Sequence, residues 1–368
     1  MESIKQIDAA TLRTWLENNE PVFVLDVRPT SQREEWQIPG SHYLDAYKRL
    51  NEGDLSVLSE IQIPEKSKVV TVCAAGRISQ IASAGLREKG INAYSLKDGM
   101  KGWSLAWNKA ILDLKNYKII QLRRTGKGCL SYIIASDKKA IIVDASLPVE
   151  VYETVLEQYH WNLTAVLETH IHADHLSRSK QVAEKFKAPL HLPTPNKVSF
   201  SYEKLSGGQL INLGQIFIRV IATPGHTLES VSFLINDEIL LSGDTVFTDA
   251  VGRPDLKANE EEAKLRAELL YVSLQKLMQL NENIIVLPAH TSKPIDFDNK
   301  PIKATLSEIR KNVPLLHLTK EEFVKAIMDK IPPAPANYLT IVEKNLSGNF
   351  TDINPIDLEA GANRCAIS

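Results

Sequence analysis
The sequence predicts an α/β protein of two domains, and three observations predict it. The chain has 368 residues with 43% hydrophobic side chains, enough for a large core and too long to be comfortable as one domain. In the first third, apolar strand patterns alternate with helical ones, the grammar of a parallel sheet. After the polar stretch Asp113–Lys118 the pattern turns to hairpins with helices between them, which predicts helices packed on sheets richer in antiparallel strand.

The elements follow in order. From Thr11 the run Thr-Leu-Arg-Thr-Trp-Leu-Glu-Asn reads as a short helix, followed by the strand Pro21-Val22-Phe23-Val24-Leu25 ending at Asp26. A second strand, Lys68–Val72, runs into Cys73 and a glycine-containing loop before a helix over Ser79–Lys89 that Gly90 stops. A third strand, Ala93–Leu96, leads to the turn Lys97-Asp98-Gly99 and a helix around Trp103 and Trp107 that closes the first domain. The expected boundaries are 1–112 for this domain, 113–116 for a linker and 117–368 for the second domain. Within the second, Ser131–Ala135 and Ala140–Val143 form one hairpin, Val231–Ile235 and Glu238–Leu241 another, with helices at Val149–Gln158, Arg178–Phe186 and Asn259–Leu280. Ile331-Pro332-Pro333-Ala334-Pro335 breaks any helix, and the residues to Ser368 are expected to be an irregular tail on the surface.

Composition excludes several function classes. Lys plus Arg is 43 and Asp plus Glu is 45, a formal charge of -2, which supplies no field to hold nucleic acid or an anionic membrane. The opening Met1-Glu2-Ser3-Ile4-Lys5 lacks the basic and apolar regions of an export signal, and no apolar run approaches the roughly 18 residues of a membrane span. Three cysteines are too few and too odd a set for a disulfide framework, so a reducing cytoplasm is expected.

The chemistry concentrates at strand ends. The strand Leu163–Thr169 ends in His170-Ile171-His172-Ala173-Asp174-His175, so three of nine histidines fall within six residues, where loop geometry lets them converge. His226 in Thr223-Pro224-Gly225-His226-Thr227, Asp244 in Ser242-Gly243-Asp244-Thr245 and His290 in Leu287-Pro288-Ala289-His290 lie at similar strand ends. Imidazole and carboxylate together are the ligand set of iron, zinc or manganese, and a metal site is expected.

This ordered set, His170-x-His172-x-Asp174-His175 followed by His226, Asp244 and His290, resembles the metallo-β-lactamase superfamily. The resemblance implies an αββα sandwich with the metal at one edge of its two sheets. Together with Gly252-Arg253-Pro254-Asp255-Leu256 and the terminal Asn363-Arg364-Cys365-Ala366, the motifs resemble the persulfide dioxygenases. That likeness implies a single Fe2+ held by His170, His226 and Asp244, with open positions for a thiol persulfide and dioxygen. It makes His172, Asp174, His175 and His290 supporting groups, whereas in a dinuclear zinc hydrolase of the glyoxalase-II type they are further ligands around a bridging Asp244. The same residues permit both. Arg310 lies where the dioxygenases have an arginine on the thiol substrate's carboxylate, with a structural ion pair as the alternative. Thr227 is a substrate contact or a backbone cap, Arg253 and Asp255 read as a loop ion pair, and Cys129 and Cys365 as structural thiols.

In the first domain, Cys73 follows an apolar strand, and Cys73-Ala74-Ala75-Gly76-Arg77-Ile78-Ser79 opens a helix. A sulfur there sits among backbone N–H groups that favour a thiolate or an anionic persulfide, with Arg77 adding positive charge. The stretch, with Leu25-Asp26-Val27-Arg28, Ile38-Pro39-Gly40-Ser41 and Asp98-Gly99-Met100-Lys101-Gly102-Trp103, resembles a single rhodanese domain, which implies Cys73 as the persulfide-carrying nucleophile. A phosphatase relative would place arginine where this chain has Ser79. The family usually has Gly-His before Ile-Pro-Gly, and this chain has Trp36-Gln37.

Both resemblances point to sulfur. The expectation is oxidation of a low-molecular-weight thiol persulfide, glutathione persulfide first, by O2 to sulfite, coupled to sulfane-sulfur transfer through Cys73 from a donor such as thiosulfate. The alternatives are a Zn2+ thioester hydrolase fused to a rhodanese domain, and a sulfur carrier with a structural metal domain. The assembly, a homo-oligomer included, stays open because the sequence shows no interface.

Overall fold
The computed structural model describes residues 5–193, 198–256, 258–332, 334, 337–361 and 365–367. Its first sheet has five strands in the order Gln6–Ile7, Ala93–Leu96, Lys68–Val72, Val22–Asp26 and His42–Tyr43, all parallel. The central strands are buried at nearly every position, as a parallel sheet covered on both faces must be. The helix Ala9–Glu17 begins at Asp8, whose side chain accepts from the Thr11 N–H. The helix after Cys73 spans Arg77–Glu88 and starts earlier than its apolar pattern suggests, because Gly76 in the left-handed region (φ +89°) turns the chain into it at once.

The second domain holds two larger sheets. Seven strands run Glu203–Lys204, Leu190–Leu192, Asn162–Leu167, Lys139–Val143, Leu130–Ser136, Lys118–Arg123 and Asn108–Asp113. Six run Leu210–Leu213, Ile216–Ala222, Val231–Ile235, Ile239–Gly243, Ile285–Pro288 and Ala304–Thr305. Alternate residues of both, among them Ile119, Ile134, Ile141 and Leu167 from one and Ile218, Phe233 and Leu241 from the other, meet in one core between the sheets. The opposite faces carry Ile120, Ile133 and Val166 against the helices Val149–Tyr159 and Ser179–Phe186, and Leu234, Leu240 and Val286 against Glu260–Met278 and Lys320–Asp329. The layers are therefore helix, sheet, sheet, helix. Both expected hairpins are present. Asp137 and Lys138 in one, Asn236 and Asp237 in the other, take positive φ at consecutive positions, the turn that matches strand twist.

Two expectations are corrected. The helix around Trp103 and Trp107 stops at Trp103, and Asn108–Asp113 is a strand antiparallel to Lys118–Arg123. Its buried positions, Asn108, Ala110 and Leu112, alternate with period two, so this segment belongs to the second domain's sheet rather than closing the first at 112. The supposed linker 113–116 is the turn of that hairpin, closed by Leu114 N–H donating to the Tyr117 carbonyl. The C-terminal stretch is also more ordered than expected. It forms the helices Tyr338–Ser347 and Pro355–Glu359, then pairs Ala366–Ile367 with Val251–Gly252; Asn363, Arg364 and Ser368 lie outside the described residues.

The domains meet across buried polar contacts. Trp36, from the position where a Gly-His pair was expected, is 4% exposed; its indole N–H donates to the Thr125 carbonyl at 3.0 Å. Its ring approaches Gly128 so closely that a Cβ there would lie 3.1 Å from it. Arg124 donates to the Ser104 carbonyl at 2.8 Å. Among the described residues, no helix is long and apolar enough to cross a membrane. Trp36→Ala is expected to cost about 3–5 kcal/mol by loss of a buried aromatic side chain, and to split one calorimetric unfolding transition into two; an unchanged single transition would show that the domains do not depend on this contact.

Candidate metal centre and cysteine loop
The histidine loop takes its shape from Asp144, at the end of the neighbouring strand. Its carboxylate accepts from the Thr169 N–H at 2.8 Å and from the Thr169 hydroxyl at 2.9 Å. The same hydroxyl, already donating to Asp144, accepts from His170 Nδ1 at 2.9 Å. His226 Nδ1 donates to the Arg253 carbonyl at 2.7 Å. Both rings are thereby held with Nε2 as the lone-pair nitrogen. Gly225 and Gly252 are required here, because a Cβ would lie 2.4 Å from Leu270 in the first case and 1.9 Å from the Asp244 carbonyl in the second.

His170, His226 and Asp244 come together as expected. Asp244 Oδ2 lies 3.5 Å from His226 Nε2 and 3.9 Å from His170 Nε2. All three residues are at most 2% exposed, and His170 Nε2 and Asp244 Oδ2 have no hydrogen-bond partner. Burial lowers the pKa of both histidines, that of His170 strongly with His172 and His226 adding to it, so the rings are neutral. Two buried neutral imidazoles converging with a buried carboxylate, two of the three facing atoms unpartnered, are what a divalent ion would satisfy, and the residues fit one.

The other four expected residues divide. His172 falls outside that trio: its Nε2 is 2.8 Å from Glu168 and 3.3 Å from Asp144, while its Nδ1 is buried without a hydrogen-bond partner. Burial works against its charge, but Glu168 and Asp144 raise its pKa well above the ordinary value. Asp174, His175 and His290 form a second group: Asp174 lies 3.0 Å from His175 Nδ1 and 2.8 Å from His290 Nε2, and His290 Nδ1 is 2.6 Å from Asp244. Cys129 joins it, its thiol donating to Asp174 at 3.4 Å. Burial and Asp174 push that thiol up, but His175 and His290 outweigh them and bring it down to about 6. The ligating atoms of Cys129, Asp174, His175 and His290 all lie within 4.8 Å of one another, as do those of Asp244, His290 and Cys365. Cys129 and Cys365, expected to be structural thiols, are therefore part of the centre's surroundings. An isolated bridge between Cys129 and His290 brings the first of them in, a pairing no local pattern announces.

A buried ionic anchor holds the loop from behind. Glu359, fully buried, accepts from Arg124 at 3.1 Å, from Arg178 at 2.6 and 2.9 Å, and from the Leu176 N–H at 2.6 Å. Burial would raise its carboxyl, but Arg124 and Arg178 hold it far below the usual carboxylate range. Asn345 donates to the carbonyls of His172 and His175. Neither residue was found from the sequence, since their partners lie more than a hundred residues away.

In the first domain, Cys73 is 2% exposed; its sulfur accepts from the Gly76 N–H at 3.2 Å and lies 3.4 Å from the Ser79 hydroxyl. Gly99 makes the loop possible, since a Cβ there would stand 2.1 Å from the Cys73 carbonyl. Arg77 is exposed and donates to Asn51 rather than to the sulfur, so its expected charge is directed elsewhere.

Comparison with known proteins matches residues 8–106 to the rhodanese-like domain and residues 124–290 to the metallo-beta-lactamase superfamily. The chain is a rhodanese-like domain followed by a metallo-β-lactamase superfamily domain. The crystal structure of ETHE1 from Myxococcus xanthus is similar at a TM-score of 0.55 and 26% identity, over 62% of this chain and 97% of that one. A metallo-beta-lactamase from Staphylococcus aureus subsp. aureus COL shares the fold at a TM-score of 0.59 and 23% identity, over 64% and 75%. Among curated sequences, the probable polyketide biosynthesis zinc-dependent hydrolase BaeB of Bacillus velezensis is 29% identical over 52% of this chain and 84% of its own length. A hydroxyacylglutathione hydrolase of Nitrobacter hamburgensis is 34% identical over 34% of this chain; the match spans half of that relative.

The expected substrate contacts of the metallo-β-lactamase domain separate on the structure. Thr227 lines a cavity of about 290 Å³ that reaches His226. Its hydroxyl also pairs with Ser230 at 2.7 Å. Arg310 instead donates to the Met278 carbonyl at 2.5 Å, at the C-terminal end of the helix Glu260–Met278, where a cation satisfies the last carbonyls. The structure places it as a cap of that helix, outside the lining of the cavity at His226. Arg253 pairs with Asp255 at 2.7 Å, the loop ion pair expected of it.

Glu359→Gln leaves Arg124 and Arg178 buried without their counter-charge and is expected to cost about 3–5 kcal/mol, read by denaturant unfolding. A carboxyl held low in the fold stabilises above its unfolded pKa and ceases to as pH falls through the folded value. The difference between wild type and variant should therefore shrink on acidification below the usual carboxylate range; a difference that is flat with pH would contradict the ionic anchor.

Proposed function
We propose that the metallo-β-lactamase domain oxidises a low-molecular-weight thiol persulfide, glutathione persulfide first, with Fe2+ held by His170, His226 and Asp244. The overall change is RSSH + O2 + H2O to RSH + sulfite + two protons. The observation that carries this reading is the separation of His172 from the trio by Glu168 and Asp144, which leaves two imidazoles and one carboxylate to hold a single ion. The likeness to ETHE1 over nearly that protein's full length supports it. Bound iron supplies the electron chemistry with dioxygen that no side chain here supplies. The protein's part is to present neutral imidazoles: the Thr169 hydroxyl orients His170 and the Arg253 carbonyl orients His226.

In the rhodanese-like domain, Cys73 carries sulfane sulfur between a donor such as thiosulfate and a thiol. The Cys73 thiolate attacks the outer sulfur of thiosulfate, the S–S bond breaks and sulfite leaves; a thiol then takes the sulfur and returns Cys73 as the thiolate. The Gly76 N–H is placed to stabilise the intermediate's anion. No disulfide joins Cys73, Cys129 or Cys365, in keeping with a reducing compartment such as the cytoplasm.

A second reading, a zinc-dependent thioester hydrolase, is favoured by the group Cys129, Asp174, His175 and His290 beside Asp244, and by the match to hydroxyacylglutathione hydrolases. Oxygen uptake by anaerobically iron-loaded protein given glutathione persulfide separates the two. Uptake lost in His170→Ala, by at least about a hundredfold as expected for a lost ligand, and kept in Cys73→Ser is the expected outcome. No uptake by wild type, with turnover of a glutathione thioester by the zinc-loaded form, would replace the dioxygenase with the hydrolase.

A further inference from the structure
The cavity at His226 has a polar end away from the proposed metal-binding trio's own side chains. Arg266 is 8% exposed on the helix Glu260–Met278 and lines it together with Glu229 and Glu262. The guanidinium is held by the Leu256 carbonyl at 3.0 Å and by Glu262, but its Nε is buried without a partner. Glu229 is pinned by the Ile171 N–H at 3.3 Å, which ties it to the histidine loop. The opposite wall is apolar, with Ile171 and Val342 facing the same space.

With Arg310 spent as a cap on Met278, a cation for the substrate's carboxylate must come from elsewhere. Met278 lies twelve residues beyond Arg266 on the same helix, about 18 Å away at the α-helical rise. Among the described residues that line the cavity, Arg266 is the cation. One guanidinium beside two carboxylates suits neither a neutral ligand nor a simple anion. A neutral apolar ligand leaves the Arg266 Nε–H unpartnered, and a simple anion meets the net negative rim of Glu229 and Glu262. A group with an ammonium and a carboxylate side by side satisfies both signs while its sulfur points toward His226.

We propose that Arg266, with Glu229 and Glu262, is the specificity site of the cavity and selects thiols that carry an amino acid zwitterion, such as the γ-glutamyl end of glutathione. This deepens the proposed function and rests on it for the reaction, though not for the binding.

Calorimetric titration of the full chain with S-methylglutathione and with its diethyl ester tests binding apart from oxidation. Arg266→Gln is expected to weaken S-methylglutathione by about tenfold or more, the size of one charge-assisted contact. Arg266→Lys should recover part of that loss, and the ester should bind weakly and alike to all three proteins. Glu229→Gln provides a second route if Arg266→Gln does not fold: it should weaken S-methylglutathione but not its N-acetyl derivative. Equal affinity of wild type and Arg266→Gln, or an equal loss for both ligands, would overturn the proposal. Selective binding by a protein that does not oxidise glutathione persulfide would uphold this site and sink the dioxygenase alone.

Discussion

Desolvation is the constraint on which the rest of this molecule depends. His170, His172, His175, His226 and His290, with Asp144, Glu168, Asp174 and Asp244, are all nearly excluded from water at one edge of the two sheets. Each such group costs several kcal/mol unless it is neutral or paired. The structure answers in two ways. His170 and His226 stay neutral, each with one nitrogen tied to a fixed acceptor, whereas His172 and His290 are held charged between carboxylates. On the proposed function, that partition separates the nitrogens that would hold the ion from those that support them.

The same constraint reaches outward to the end of the chain. The loop carrying His172 and His175 is held through its carbonyls by Asn345 and through the Leu176 N–H by Glu359, and Glu359 in turn requires Arg124 and Arg178. Arg124 also donates to Ser104, the last turn of the first domain's architecture, and Lys101 of that domain pairs with Asp357. The tail is thus part of the centre, and the domain contact is continuous with it.

The convergence of the strand-end histidines and aspartate was legible because their placement is local. Alternating apolar residues mark the strands, and histidines just beyond them have nowhere to go but the sheet edge, so His170, His226 and Asp244 could be placed without a structure. Cys73 was legible for the same reason: a strand, a short loop of small residues and a helix lie together in sequence. The failures have one cause too. Arg310, Cys129, Cys365, Arg266 and Glu359 take their roles from partners brought in by tertiary packing, and residue type says nothing about which carbonyl or carboxylate will be within reach. The segment 108–113 was misplaced because two tryptophans at helical spacing outweighed the period-two pattern of Ala110 and Leu112.

The direct passage of the chain from Trp103 into the strand beginning at Asn108 leaves no tether between the two centres. A lipoyl or phosphopantetheine arm works by swinging, and a flexible linker works by letting one module search for the other. Neither option exists when the connecting residues are themselves a strand of the second sheet and Trp36 is wedged against Gly128. Cys73 is confined to its own loop, so any sulfur exchanged between the centres must cross the gap as a freely diffusing molecule. On the proposed function the chain is two fixed stations served by a courier, and the concentration of that courier in the surroundings, rather than the length of a linker, would govern how tightly the two activities are coupled.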